Sequence, residues 1–166
     1  MIVLGVDPGT LVMGYGVIEA RDDKVTLVDC GALTATQRSP MGERLDYLYR
    51  GLLEIIAHYQ PEVVVVEQPF VAKNVKTALA IGRAQAVAIL AAASRRLPVF
   101  EYTPTQIKQH VANFGGSTKE QVQEMVKLQL GLPAVPEPND AADALAVALC
   151  YLQEMHINNL LAESSR

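Results

Sequence analysis

The chain begins with a hydrophobic run that ends in a carboxylate. Residues 2–6 are Ile-Val-Leu-Gly-Val, and Asp7 follows them directly, before Pro8 and Gly9. A short apolar run of this kind predicts a strand buried on both faces, and Pro-Gly predicts a turn at its end. Burying a lone acid is costly unless its charge is compensated, and a metal ion is one such partner. A solvated turn aspartate explains Asp7 equally well, so this stretch alone leaves both interpretations open.

The next apolar stretches predict two more strands and a helix. Residues 13–20 and 25–33 have the composition of strands and are joined by a short polar turn. Connections of this length favour antiparallel neighbours, so the first three strands are expected to form a meander. Ser39 and Pro40 then suit the N-cap and first position of a helix, in which apolar residues recur at three- and four-residue steps as far as Tyr59.

A second buried strand also ends in an acid. Residues 63–66 are four consecutive valines, and Glu67 follows them. Such a run predicts a central strand, parallel to the first. Sites in open α/β sheets lie at the carboxyl ends of parallel strands. Asp7 and Glu67 are therefore expected to meet at one edge of the sheet.

The second half of the chain predicts mainly helices. Residues 77–96 form an Ala-rich helix, 99–102 a fifth strand, and Thr103-Pro104 begins a short helix that reaches residue 111. Ser117 and Glu120 have the spacing of a capping box for the next helix. The Ala-rich helix is narrow, and it suits either a packed core or close contact with a second subunit.

The last predicted helix carries two acids. Asn139 suits its N-cap, and Asp140 and Asp143 lie three residues apart, which places both carboxylates on one helix face. Apolar residues lie close to the same side, so this face is expected to point inward. The tail after His156 is expected to be frayed. We interpret residues 1–166 as a single domain.

Composition and charge limit the class of protein. Half of the residues are hydrophobic and 19% are charged, which is typical of a globular protein. We expect no membrane-spanning run and no signal peptide. Two cysteines, Cys30 and Cys150, without a Cys-x-x-Cys spacing argue against a zinc site or a disulfide framework, and reduced cysteines fit a cytoplasmic protein.

The distribution of charge is more informative than its sum. The net charge is −4, which is unusual for a nucleic-acid-binding protein. Residues 1–67 carry 5 Lys/Arg and 10 Asp/Glu, residues 68–131 carry 8 and 3, and residues 132–166 carry 1 and 5. The middle third can therefore form a basic face, although ordinary solvated charge explains the same counts.

Four acids emerge as candidate metal ligands, namely Asp7, Glu67, Asp140 and Asp143. Hard divalent cations such as Mg²⁺ take oxygen ligands, so carboxylates without His or Cys favour that ion. Several carboxylates in one place repel each other, and cations would hold them ionised together. Two cations ~3.5–4 Å apart would contact the attacking and leaving oxygens of a phosphodiester.

The order of elements resembles the ribonuclease H-like plan. Three stretches resemble the RuvC family of Holliday junction resolvases more specifically: GVDPGTLVMGYGVI, VVVVEQPFVAKN and DAADALAVAL. The segments PVFEY with QIKQ, and STKEQVQEMVK, are similar to that family as well. The resemblance extends from Met1 to about Cys150.

This resemblance implies an α/β protein of ribonuclease H-like fold. Its mixed five-stranded sheet would combine an antiparallel meander with two parallel strands, flanked by helices. The implied activity is that of a homodimeric, Mg²⁺-dependent endonuclease that resolves four-way DNA junctions in recombination and repair. It would make paired, symmetric nicks that leave 5′-phosphate and 3′-hydroxyl ends. Two Mg²⁺ ions per site are expected, with Mn²⁺ as a substitute. The branch-migration proteins RuvA and RuvB are the expected partners, in a nucleoid-associated, bacterial cytoplasmic setting.

The resemblance also assigns residues. The family's metal ligands match Asp7, Glu67, Asp140 and Asp143, its lysines near the site match Lys108 and Lys119, and its base-contacting aromatic matches Phe70. Some members carry His in place of the third acid, so Asp140 is expected to tolerate that change. We also assign Lys73 and Lys76, in the segment of Phe70, to DNA binding. Gly-Arg-Ala-Gln-Ala at 82–86 departs from the family pattern, so no DNA role is transferred to Arg83.

Alternatives remain for the residues and for the function. The lysines could be ordinary solvated side chains, and Phe70 could belong to a small satellite core. Asp7-Pro8-Gly9-Thr10 also resembles the first phosphate loop of sugar kinases and actin, but those proteins pair two such domains. A nuclease of similar fold that processes structured RNA, and a junction-binding module without catalysis, are the other readings.

Overall fold

The computed structural model describes residues 1–22, 24–68 and 74–164, which form a sheet covered by helices on both faces. The strands are β1 (Ile2–Asp7), β2 (Val12–Arg21), β3 (Lys24–Thr34), β4 (Val63–Glu67) and β5 (Val99–Tyr102). The helices are α1 (Met41–Tyr59), α2 (Val75–Ser94), α3 (Pro104–Ala112), α4 (Lys119–Gln129) and α5 (Asn139–Ser164).

The sheet is mixed, as the sequence predicted. Its strand order is β3-β2-β1-β4-β5, so β1 lies at the centre. Strands β1, β2 and β3 form the antiparallel meander, whereas β4 runs parallel to both β1 and β5. Val3 pairs with Val63 and Val6 with Val66, so β1 and β4 end side by side.

Side chains along the central strands alternate between the two faces of the sheet, and this divides the core into two layers. Leu4 and Val6 of β1 pack in the layer that contains α1 and α2. Val3 faces the other side, where α5 covers the sheet, and α3 and α4 pack against α5. Successive strand residues point to opposite faces, so Gly5 and Asp7 share the face of Val3. Asp7 therefore points toward α5.

The starts of two helices differ from the predicted caps. Helix α1 begins at Met41 with Pro40 at the N-cap, and no side chain caps it, so Ser39 does not serve as predicted. Helix α4 is capped by Thr118, which forms the capping box with Gln121. Ser117 is not the cap because its hydroxyl donates to the Phe114 carbonyl at 2.7 Å.

The last helix is longer than expected. We predicted a frayed tail after His156, whereas α5 continues to Ser164. The first three turns of α5 are buried, and most residues after His156 are exposed. The buried part holds the helix in place, and the exposed turns continue its hydrogen-bonding pattern.

Helix α2 has two contrasting faces. Ala84, Ala88, Ala91 and Ala92 are buried against the sheet layer and α1. Leu79 and Leu90 on the outer side are exposed. By length and a mean hydropathy of 1.4 this helix could span a membrane, contrary to our expectation, although the core helix of a soluble protein passes the same test. Close packing on the inner face explains these four alanines.

Candidate active site

Asp7 and Glu67 meet at the carboxyl edge of the sheet. Val6 pairs with Val66, so the next residue of each strand is one of these acids. Val63 and Val65 face α5, and alternation gives Glu67 that same face. The two carboxyl side chains share a hydrogen bond. The predicted meeting of two strand-end acids is therefore present in the structure.

Glycines in β1 and β2 allow α5 to approach the sheet backbone. Gly14 pairs with Asp7 across β1 and β2. A Cβ placed on Gly14 would lie 2.0 Å from the carbonyl oxygen of Asp140, and one on Gly5 would lie 2.1 Å from that of Ala144. Any side chain at these positions would push the helix away. The absence of side chains at these two positions brings the first turn of α5 next to Asp7.

This packing yields a first prediction, for Gly14→Ala. The added methyl group has no room against the Asp140 backbone, so α5 must shift. We expect a loss of about 3 kcal/mol or more in unfolding free energy, the upper end of typical overpacking costs, together with slower DNA cleavage. Chemical denaturation measures the first effect. Gly42→Ala is the matched control because a Cβ on Gly42 meets nothing within 4 Å, and equal stability of the two variants would contradict the prediction.

The acids form one electrostatic cluster. Burial raises the pKa of the Asp7 carboxyl well above its ordinary 3.8. The negative charges of Glu67, Asp143 and Asp140 raise that pKa further. Burial also raises the pKa of Glu67, while its hydrogen bond with Asp7 and the charges of Lys119 and Lys108 act in the opposite direction. Burial and mutual repulsion thus favour the protonated forms of Asp7 and Glu67 unless a cation compensates their charge.

Helix α4 reaches Asp143 with two side chains. The Lys119 ammonium lies 2.5 Å from Oδ2 of Asp143. The hydrogen bond to Asp143 raises the pKa of Lys119, and Asp7 and Asp140 add to this effect through their charges. The Gln123 amide donates from Nε2 to Oδ1 of Asp143 at 3.3 Å. Gln123 was not among the residues singled out from the sequence.

The structure places some of the other residues that were predicted to contact DNA, and it does not describe the rest. Lys108 lies on α3, and its charge acts on Glu67, so the structure brings it to the cluster. Lys76 is exposed at the start of α2, where it lines a groove of about 440 Å³ together with Gly9 and Thr10 from the loop after Asp7. Phe70 and Lys73 lie outside the described residues, and their roles stay predictions.

The donor set fits a hard divalent cation, but the described side chains do not enclose one. All four candidate ligands are carboxylates, the donors that Mg²⁺ prefers, and their mutual repulsion calls for a cation. Among the described residues no three of these side chains converge closely enough to hold a metal ion. Lys119 already contacts Asp143. A metal ion held by these acids would therefore need side-chain rotation, with Lys119 leaving Oδ2 of Asp143.

A larger cavity lies away from this cluster. It has a volume of about 970 Å³ and is bounded by the turn between β2 and β3, by α3 and by the later turns of α5. None of the predicted site residues that the structure describes lines it. The charges of the four acids, Lys108 and Lys119 act on one another at the acidic cluster and not at this cavity.

The sequence matches an established family along most of its length. The family model for crossover junction endodeoxyribonuclease RuvC matches residues 3–151. A protein of that name from Dehalococcoides mccartyi is 55% identical over 163 residues, covering 98% of each chain. One from Chloroflexus aggregans is 54% identical over 151 residues, covering 91% of this chain and 92% of the relative.

Solved structures agree with the sequence match. RuvC of T. thermophilus in complex with Holliday junction substrate superposes with a TM-score of 0.89 at 33% identity, covering 95% of this chain and 96% of that one. The yeast mitochondrial Holliday junction resolvase Ydc2 shares the fold, with a TM-score of 0.69 at 16% identity, covering 97% and 85%. The chain therefore belongs to the RuvC family of crossover junction endodeoxyribonucleases, and it is a DNA nuclease of ribonuclease H-like fold.

Proposed function

We propose that this nuclease resolves four-way DNA junctions by paired, symmetric nicks at sites built from Asp7, Glu67, Asp140 and Asp143, each site holding two Mg²⁺ ions. One observation carries the proposal. Two strand-end acids and the first turn of α5 converge at one sheet edge, in a chain whose 33%-identical structural neighbour was solved with a Holliday junction. The donor chemistry favours Mg²⁺, with Mn²⁺ as a substitute.

The acids and the lysines have separate roles in this proposal. When bound, the ions supply Lewis-acid polarisation of the phosphodiester and an activated water. Asp7 lies between Glu67 and α5, so we assign it the central position among the ligands. Lys119, whose side chain is 56% exposed, can exchange Asp143 for a DNA phosphate, and Lys108 on α3 can stabilise developing charge.

DNA binding outside the acidic cluster rests on the basic middle third. Lys76 lines the groove beside the loop after Asp7, which offers a path for the phosphate backbone. We assign Lys73 and Phe70 to the same path from the sequence alone. These proposed contacts with DNA would allow a chain with a net charge of −4 to bind a polyanion.

Phe70→Ala gives a second prediction. Unstacking a base step costs about a few kcal/mol, which an inserted apolar side chain can offset. The variant should bind junctions nearly normally and cut them poorly, as measured by gel shift and single-turnover cleavage on one substrate. A junction with mismatched bases at the crossover should recover much of the activity. Parallel loss of binding and cutting would instead make Phe70 a packing residue.

We propose a two-fold homodimer in contact through the outer face of α2. Val75, Leu79 and Leu90 are exposed there. Gly82 and Ala86 lie between them at helical spacing, and a Cβ on Gly82 meets nothing within 4 Å in the single chain. A two-fold dimer presents two identical sites, which two symmetric cuts require. We place the enzyme in the bacterial cytoplasm, with RuvA and RuvB as partners.

Substrate choice tests the proposed function directly. Purified protein with Mg²⁺ is incubated with a synthetic four-way junction, a linear duplex and an RNA hairpin. We expect paired nicks in the junction, carrying 5′-phosphate and 3′-hydroxyl ends, and little cutting of the other two. Preferred cutting of the RNA would favour an RNA-processing nuclease. Binding of the junction without cutting at any Mg²⁺ or Mn²⁺ concentration would favour a non-catalytic binding module.

A further inference from the structure

Gln123 combines burial with a contact to one of the acids. It is 8% exposed, and it and Ser117 are the buried polar residues within the described part of the chain. Burying a long polar side chain is costly unless it makes hydrogen bonds. Its amide faces Oδ1 of Asp143 at 3.3 Å. An ionised carboxylate accepts hydrogen bonds but cannot donate them. The amide nitrogen of Gln123 is therefore the atom that faces it.

Helix α4 holds both oxygens of Asp143. Lys119 and Gln123 are four residues apart and therefore lie on one face of α4. Lys119 contacts Oδ2, whereas Gln123 contacts Oδ1. Two contacts on different oxygens of one carboxylate restrict its rotation more than either contact alone. The start of α4 is itself stabilised by the capping box of Thr118 with Gln121.

The two contacts differ in how easily they can be released. The side chain of Lys119 is 56% exposed and can turn toward a DNA phosphate. Gln123 is enclosed beside Val122 and Val126, both buried in the layer shared with α5. A buried amide cannot leave Asp143 without losing its partner. The contact of Gln123 with Asp143 is therefore the harder of the two to release.

We propose that Gln123 is a positioning residue, which holds one oxygen of Asp143 so that the other can face a metal ion. The inference rests on the proposed function, because it assumes that Asp143 is a ligand. Residues that orient metal ligands typically contribute 10–100-fold to metal affinity or activity. We expect their loss here to weaken metal binding while leaving the ligand set intact.

The test compares Gln123→Met with Gln129→Met. Methionine has a similar length but no amide donor. Gln129 is on the same helix and also makes hydrogen bonds, to the Val111 carbonyl and with Gln153, away from the acids. Mn²⁺ binding to DNA-free protein is measured by electron paramagnetic resonance of the free ion. The Mg²⁺ dependence of single-turnover junction cleavage is measured alongside.

We expect Gln123→Met to weaken Mn²⁺ binding and to raise the half-saturating Mg²⁺ concentration by about 10–100-fold, with much of the rate recovered at high Mg²⁺. Gln129→Met should titrate like the wild type even if it lowers stability. A folded Gln123→Met protein with wild-type metal titration would overturn the inference.

A second variant covers the case in which Gln123→Met does not fold. Gln123→Asn keeps a buried amide that is one methylene too short, and it should shift the Mg²⁺ dependence in the same direction. Failure of both variants to fold would show a structural role and overturn the inference. A wild-type protein that neither binds Mn²⁺ nor cuts junctions would instead refute the proposed function itself.

Discussion

Asp7→Asn should abolish junction cleavage in Mg²⁺ and leave junction binding in metal-free buffer unchanged or tighter. The substitution preserves the shape of the side chain but removes the charge that would offset the cations. Burial and the three neighbouring acids all act on Asp7. Loss of a single electrostatic stabiliser costs about 10²–10³ in rate, and loss of a positioned metal ion should cost at least that.

Binding should not fall together with cleavage because it depends on different residues. Junction affinity rests on phosphate contacts from Lys/Arg side chains of the basic middle third. Replacing the Asp7 carboxyl with a neutral amide cannot add to the repulsion between the cluster and DNA phosphates, so binding should not weaken. Single-turnover cleavage and gel shift on the same junction separate the two effects. An Asp7→Asn protein that cuts at a near wild-type rate would refute both the metal site and the role of the cluster in the nuclease reaction.

The other acids provide graded comparisons. Glu67→Gln and Asp143→Asn should behave like Asp7→Asn, since each removes a candidate ligand charge. Asp140→His should keep some activity, and Mn²⁺ should support it better than Mg²⁺ because imidazole suits softer divalent ions. An Asp140→His protein as inactive as Asp7→Asn in both metals would contradict this ranking.

Gly82→Leu should weaken dimerisation and uncouple the paired nicks. In the single chain an added Cβ at this position meets nothing within 4 Å, and leucine favours helix by about 1 kcal/mol over glycine, so the protomer should fold. Across a close helix contact the same side chain overpacks. Overpacking typically costs ~1–3 kcal/mol, which corresponds to roughly 5- to 150-fold in dimer affinity.

A plasmid-borne four-way junction reports on coupling directly. Paired nicks linearise the plasmid, whereas single nicks give open circles, so Gly82→Leu should shift products toward open circles. Sedimentation velocity measures the oligomeric state under the same conditions. Gly42→Leu is the matched control, since Gly42 is also helical and a Cβ there is equally unobstructed. A Gly82→Leu protein that remains dimeric and still linearises the plasmid would place the dimer contact elsewhere.

Most of the candidate site could be predicted from local patterns in the sequence. Buried strands are specified by short apolar runs, and Asp7 and Glu67 follow two such runs directly. A parallel pairing then places both acids at one edge, and helical periodicity places Asp140 and Asp143 on one face of α5. These inferences needed local spacing together with one general rule about parallel sheets.

The caps and the end of α5 show where local patterns are insufficient. Ser117 and Thr118 are both suitable N-caps, and only the contact of Ser117 with the Phe114 carbonyl selects Thr118. The turns of α5 after His156 lack a clear apolar pattern, yet the helix continues to Ser164 because its buried first turns hold it in place. Phe70 remains a prediction from the family resemblance.

The sequence by itself determined the strands, the helices and the acids at their ends, because hydrophobic periodicity and turn residues act over a few positions. Only the tertiary structure decided which backbones come into contact. Gly14 is a plain strand residue until α5 lies against it, and Gln123 is an ordinary polar helix residue until α4 packs beside Asp143. Both depend on the packing of elements far apart in the chain. A strand glycine indicates that another backbone approaches closely but does not identify that partner, and a helical glutamine gives no such indication.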